Sequence, residues 1–130
     1  MSRLFALGRA ILGGFFVLAG LNKVLNYADT QSYMDAAGLD TSLLPFVILL
    51  ELVGGAVVAA GRPRMVLPWA AIALAGFTVL TNLFFHRFWS VEAELAQLEL
   101  SLFFKNLAIA GALLMTASAV RTKKTSVPTG

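Results

Sequence analysis

The stretch Leu49-Leu50-Glu51-Leu52-Val53-Gly54-Gly55 places one carboxylate inside an otherwise apolar run that covers residues 43–60. The run approaches the roughly 20 residues that a helix needs to cross the hydrocarbon core of a bilayer. A charged side chain near the bilayer centre costs about 2.5–3.5 kcal/mol on insertion scales. Glu51 therefore needs a partner, a proton or a water-filled cavity.

The composition of the chain is typical of a membrane protein. The chain has 130 residues, of which 58% are hydrophobic and 13% are charged, whereas soluble domains average about 45–50% and about 25%. The mean hydropathy is +0.81. Because the chain has no cysteine, neither a disulfide framework nor a thiol relay within it is expected.

Four apolar runs predict an all-α fold, a four-helix transmembrane bundle that forms one membrane domain over residues 1–120. The predicted spans are residues 4–25, 43–60, about 65–85 and about 100–120. A soluble helical bundle is disfavoured because four runs of near-bilayer length are too many for so small a core. A cleaved signal peptide ending near Val17-Leu18-Ala19 is disfavoured because the apolar run continues to Leu25.

The segment between the first two spans predicts a short interfacial helix. Asp29 or Thr30 is its expected N-cap, and Gly38 is expected to end it. Tyr33, Met34 and Ala37 are expected to face the membrane surface. Further along, residues 91–98 are predicted to be amphipathic or a loop.

The positions of the basic residues predict the orientation. Seven of the ten Lys and Arg residues fall on one side of the predicted bundle and three on the other, so both termini are expected to be cytoplasmic. These charges cluster at helix ends and not along one face, which predicts a lipid bilayer as the partner and no nucleic acid. Residues 121–130 are predicted to form a disordered basic cytoplasmic tail. The seven basic residues on the predicted cytoplasmic side are Arg3, Arg9, Arg62, Arg64, Arg121, Lys123 and Lys124, and the three on the opposite side are Lys23, Arg87 and Lys105.

Polar side chains gather in the outer half of this predicted bundle. Glu51 lies roughly 12 Å from the outer end of its helix, at about 1.5 Å per residue. Thr78, Asn82 and His86 follow one another at four-residue spacing and form one stripe on the third span. The candidate ligand-binding residues are Lys23, Glu51, Asn82, His86, Lys105 and Asn106, and Ser101 shares a predicted face with Lys105.

A structural interpretation of these residues is also open. Glu51 paired with Lys23 or Lys105 would be worth roughly 4 kcal/mol at 4 Å and an effective dielectric near 20, which offsets the insertion cost without any ligand. Lys23 alone is typical of a lysine that extends its ammonium to the interface. His86 is the one histidine of the chain, so no multi-histidine metal site and no bis-histidine haem site is expected.

The order of these motifs resembles the DoxX family of small four-helix bacterial membrane proteins. The resemblance rests on Gly20-Leu21-Asn22-Lys23, on residues 33–38, on Glu51-Leu52-Val53-Gly54-Gly55, on Gly61 with Arg64, on His86-Arg87-Phe88-Trp89, and on Phe104-Lys105-Asn106-Leu107. The resemblance implies a multi-pass protein of the bacterial inner (plasma) membrane. It also implies an association with quinone-linked oxidoreductases, such as a thiosulfate–quinone oxidoreductase.

Three functions are therefore considered. The leading hypothesis is an accessory or binding subunit whose outer-leaflet cavity holds a small amphipathic ligand such as a quinone, with electrons handled by an oxidoreductase partner. The second is a purely structural scaffold subunit, in which the charges serve assembly alone. The third is a small solute transporter, for which no inverted repeat is evident in the sequence. A homo-oligomer is left open, as is any catalysed reaction.

Overall fold

The described part of the chain is built of helices alone. The computed structural model describes residues 2–125, and side chains over residues 2–121. The helices are α1 (Arg3–Leu25), α2 (Tyr27–Ala36), α3 (Thr41–Ala60), α4 (Leu67–Phe85) and α5 (Ala93–Thr125). Within residues 2–125, α1, α3, α4 and α5 are long and apolar enough to cross a membrane. The predicted four-helix transmembrane bundle with a short helix after its first span is thus confirmed.

The outer surface of the bundle is apolar, as a lipid-facing surface must be. Ile11 on α1, Phe46 on α3, Trp69 on α4 and Met115 on α5 are each 64–74% exposed. Soluble monomers rarely expose continuous apolar surface of this extent. The pattern fits helices whose outer faces contact acyl chains.

Two helix pairs make up most of the packing: α4 packs mainly against α5, and α1 packs mainly against α3. The second pair is close because glycines face each other. A Cβ on Gly55 would lie 2.8 Å from the Gly13 carbonyl oxygen, and a Cβ on Gly13 would collide with the backbone of Ala59. Small residues at a crossing let helix backbones approach in this way. The buried apolar core, with Phe16, Val58, Leu74 and Leu113, lies in the same half of the bundle.

Helix α3 changes its winding where Glu51 stands. It runs as a 3₁₀ turn over Thr41–Leu43, an α-helix over Leu44–Leu49, a π-helical turn over Leu50–Gly54 and an α-helix over Gly55–Ala60. Asp40 begins it, because its Oδ1 accepts a hydrogen bond of 2.9 Å from the Ser42 amide, and this bond lowers the pKa of the carboxyl. Single π turns are rare and occur often at functional sites.

Helix α2 begins earlier than predicted, so the expected N-cap at Asp29 or Thr30 is wrong. The chain passes from α1 into α2 at Asn26, and Asp29 lies inside the first turn of the helix. There its negative charge interacts favourably with the positive end of the helix dipole. The Thr30 hydroxyl donates to the Asn26 carbonyl oxygen at 2.8 Å and does not cap an amide.

Helix α2 ends where predicted, but one of its side chains does not face the membrane surface as expected. Gly38 has a φ of 79°, a left-handed conformation that glycine adopts without strain, and the helix ends just before it as expected. Tyr33 is 55% exposed, but Met34 is only 6% exposed. The prediction that Met34 faces the membrane surface is therefore wrong, because α2 folds back and turns this side chain into the bundle.

Helix α5 is longer than the fourth predicted span at both ends. It begins at Ala93, where the Glu92 carbonyl oxygen accepts from the amides of Leu95 and Ala96. Most of the segment 91–98, for which a loop was one alternative, is thus helical. The helix also continues past the predicted end of the span as far as Thr125. Residues 121–125 of the predicted disordered tail are therefore helical. Residues 126–130 lie outside the described residues, and for them the disorder stays a prediction.

Candidate functional site

The site is centred on an ion pair between two membrane-spanning helices. Lys23 Nζ on α1 lies 2.7 Å from Glu51 Oε1 on α3. The Glu51 side chain is 2% exposed, whereas that of Lys23 is 26% exposed. Oε1 is buried and accepts no well-directed hydrogen bond from any residue of the described chain. The carboxylate is therefore balanced by charge and keeps capacity to accept a hydrogen bond.

Local features of both helices bring the pair together. Gly20 leaves space for α3, since a Cβ there would lie 3.2 Å from the Glu51 Cβ and 2.9 Å from the Leu52 Cγ. Lys23 follows Gly20 by three residues and so shares its face of α1. The π turn of α3 carries Glu51 on this face, with Gly54 and Gly55 at its end.

A cavity of about 490 Å³ opens beside the ion pair. This volume falls within the range of about 300–1,000 Å³ that is usual for small-molecule pockets. Its wall is mostly apolar and comes chiefly from α1, α2, α3 and α4, and from the segment that joins α2 to α3. The polar residues that line it are Lys23, Thr30, Tyr33, Glu51, Thr78, Thr81, His86 and Asn106. The arrangement can hold a polar head beside Glu51 and an apolar body along the rest of the wall.

An asparagine network joins α4 to α5 behind the cavity. Asn82 is fully buried, and its Nδ2 donates to the Phe103 carbonyl oxygen at 3.0 Å. Because a carbonyl can only accept, this bond fixes the orientation of the Asn82 amide. Asn82 Oδ1 then accepts from Asn106 Nδ2, also at 3.0 Å. Asn82 therefore positions Asn106, and it is Asn106 that lines the cavity.

Aromatic and titratable residues meet at the end of the cavity near the start of α5. His86 Nδ1 lies 2.8 Å from Glu99 Oε2, one helix turn beyond the contact of Asn82 with Phe103 in the same antiparallel register. The ring of Tyr33 stacks on that of Phe85, with centroids 4.6 Å apart. Burial, and secondly the charge of Glu99, raise the pKa of the Tyr33 phenol above its usual 10.0.

Five of the six predicted ligand-binding residues lie at or directly behind this cavity: Lys23, Glu51, Asn82, His86 and Asn106. Lys105 does not. Its side chain is exposed, as is that of Ser101, because Asn106 is the residue of α5 that turns towards α4. The expectation that Lys105 stands in the polar cluster is corrected, and of the two candidate lysines it is Lys23 that pairs with Glu51.

Glu99 and the contribution of Tyr33 to the cavity were not predicted from the sequence. Glu99 lies at the edge of a segment for which a loop was an open alternative, so no face was assigned to it. Continuing the helix towards the N-terminus would have placed Glu99 one turn from Phe103, opposite His86. No group of three His, Asp or Glu side chains lies close enough to hold a metal ion in the described chain.

Comparison with known proteins gives two matches. The sequence model of the DoxX family matches residues 4–87. The chain is 37% identical over 109 residues to the protein named inner membrane protein YqjF of Escherichia coli (strain K12), a match that covers 84% of this chain and 78% of that protein. No solved structure matches the chain.

Proposed function

Since the chain belongs to the DoxX family, we propose that it is a membrane binding or accessory protein whose cavity holds a small amphipathic ligand such as a quinone. One observation carries the proposal: the Glu51 carboxylate is 2% exposed and lines an otherwise mainly apolar cavity of about 490 Å³. A ligand with a polar head and an apolar body fits such a wall.

The cost of burying charge argues that the site is retained for use. Replacing a buried ion pair by apolar residues of similar volume is often neutral or stabilising. An ionisable group inside a membrane is therefore interpreted by default as part of a functional site. Lys23 and Glu51 supply a donor and an acceptor at one end of the cavity, where the head of the ligand would lie.

We place the protein in the bacterial inner membrane with both termini in the cytoplasm, so that the cavity opens towards the outer leaflet. The name of the Escherichia coli relative supports the membrane, and the excess of Lys and Arg at the termini and at the turn after α3 supports the orientation. The absence of native cysteine makes a direct test simple. A membrane-impermeant thiol reagent applied to whole spheroplasts should label Ser90→Cys and should leave Ser2→Cys unlabelled.

The oxidoreductase association is also part of the proposal. A chain with one histidine and no cysteine offers few ligands for a redox centre of its own, so the protein would bind or deliver the ligand while a partner subunit transfers electrons.

Mass spectrometry of the purified protein tests the ligand. The wild type, extracted in mild detergent, is expected to carry a small amphipathic molecule in near-equal amount. Ala19 lines the cavity, so the larger side chain of Ala19→Phe should occupy it and displace this molecule. Ala108→Phe, at an exposed position of α5, should keep the molecule bound. An empty wild type, or equal occupancy of both variants, would contradict the proposal.

The 2.7 Å contact between α1 and α3 favours a second candidate, a scaffold in which the ion pair only fixes helix register. In that case the double variant Glu51→Gln with Lys23→Met should keep the occupancy of the cavity and any activity of a partner. A binding protein should lose both while it remains folded.

A further inference from the structure

The threonines that line the cavity present acceptors to it and not donors. The hydroxyls of Thr30, Thr78 and Thr81 donate to carbonyl oxygens four residues earlier in the chain, at 2.8, 2.7 and 2.9 Å. A hydroxyl has a single hydrogen. Because each hydrogen is used within the helix backbone, only oxygen lone pairs remain for a ligand.

Other polar groups of the wall add further acceptors. Asn106 donates to Asn82, and its own Oδ1 accepts from no described residue. Oε1 of Glu51 is likewise buried without a directed hydrogen bond.

Donors are fewer by comparison. They include the Tyr33 phenol and the Lys23 ammonium, and the ammonium already lies against Glu51. A ligand whose head only accepts hydrogen bonds would face oxygen lone pairs over most of the polar wall. A ligand whose head donates would find partners in Glu51 and in the threonines.

We infer that the cavity selects ligands whose head group carries hydroxyl donors, and so prefers a hydroquinone to the quinone of the same skeleton. The inference rests on the proposed binding function and adds the chemistry of the head group. Placing a carbonyl oxygen of the quinone against unpaired acceptors leaves buried polar groups unsatisfied. Such a mismatch lowers the affinity for the quinone relative to the hydroquinone. We expect a preference of at least about tenfold in Kd.

Three ligands of one skeleton test the inference: decyl-hydroquinone, decyl-benzoquinone and the dimethyl ether of the hydroquinone. Each is titrated by calorimetry, without oxygen, into the wild-type protein in lipid nanodiscs. The hydroquinone should bind at least about tenfold more tightly than the other two. The quinone controls for size, and the ether controls for loss of the donors alone.

Variants locate the preference in the wall. Thr78→Val with Thr81→Val removes two acceptors and should weaken hydroquinone binding several-fold while quinone binding changes little. Thr116→Val is the matched control, because its hydroxyl makes the same backbone contact, to the Ala112 carbonyl at 2.8 Å, and it does not line the cavity. Its affinities should equal those of the wild type.

The outcomes separate the two claims. Equal affinity for hydroquinone and quinone would overturn the donor preference and leave the proposed binding function standing. Tighter binding of the quinone would overturn the preference outright. No binding of any of the three would contradict both the inference and the proposal that the cavity takes a quinone-like ligand.

Discussion

Lys23 Nζ lies 2.7 Å from Glu51 Oε1, and the two partners are unequally buried, with 26% of the lysine side chain exposed and 2% of the glutamate. The lysine can extend its ammonium towards water when its partner is lost. The carboxylate has no such freedom inside the bundle. The pair is therefore expected to respond differently to the loss of each member.

Lys23→Met should destabilise the protein by about 3 kcal/mol, because it leaves an uncompensated buried carboxylate. Glu51→Gln should cost clearly less, and adding Glu51→Gln to Lys23→Met should recover most of the loss. Thermal unfolding in detergent gives the comparison, with Lys105→Met as the control at an exposed lysine. Equal losses from the two single variants would contradict this account of the pair.

The crossing of α1 with α3 depends on Gly13. A Cβ at Gly13 would meet the Gly55 carbonyl oxygen at 2.5 Å and would also collide with the Ala59 backbone. Gly13→Ala should therefore lower stability by about 1–3 kcal/mol, as overpacking does. Gly14→Ala is the control, because nothing lies within 4 Å of its added Cβ, and it should be neutral or slightly stabilising. Similar melting temperatures for the two variants would contradict the close approach of the α1 and α3 backbones at Gly13.

Asn82 and Asn106 should be energetically coupled. Interhelical hydrogen bonds in membranes average about 0.6 kcal/mol and reach about 1.7 kcal/mol. In a double-mutant cycle, Asn82→Ala and Asn106→Ala should interact by an amount in this range, because the two amides bond directly at 3.0 Å. Asn82→Ala combined with Asn22→Ala, at an exposed site, should be additive within about 0.3–0.5 kcal/mol. Additivity in the first cycle would mean that the network contributes nothing to helix pairing.

The fold was predictable because apolar length and composition determine which segments cross a bilayer. Glu51 could be identified for the same reason, since a carboxylate inside such a run requires compensation. The rotation of α5 could not be predicted. Neighbouring residues of a helix differ by about 100° around the axis, so nothing in the sequence decided whether Lys105 or Asn106 faces α4.

The π turn at Glu51 and the contact of His86 with Glu99 were also beyond the sequence analysis. The turn arises where Gly20, Gly54 and Gly55 allow close packing of three helices, which is a tertiary effect. The contact of His86 with Glu99 depends on where α5 begins. Helix boundaries respond to capping and packing and are harder to predict than the helices themselves.

The phenol of Tyr33 provides a pH-dependent signal at the end of the cavity. The chain has two tyrosines, so in a Tyr27→Phe background the ultraviolet titration reports Tyr33 alone. Its midpoint should lie above 10.0, because burial and secondly Glu99 raise the pKa. The native state then holds the proton more tightly than the unfolded state does. The contribution of this group to stability should be complete below pH 10 and should fall as the pH rises through the folded-state pKa.

Glu99→Gln in the same background should lower the titration midpoint of Tyr33 only in part, because it removes the nearby charge and leaves the burial unchanged. Glu94→Gln, at an exposed glutamate of the same helix, should leave the midpoint where it was. A midpoint at or below 10.0, or one that ignores Glu99→Gln, would show that Tyr33 and Glu99 do not share the end of the cavity.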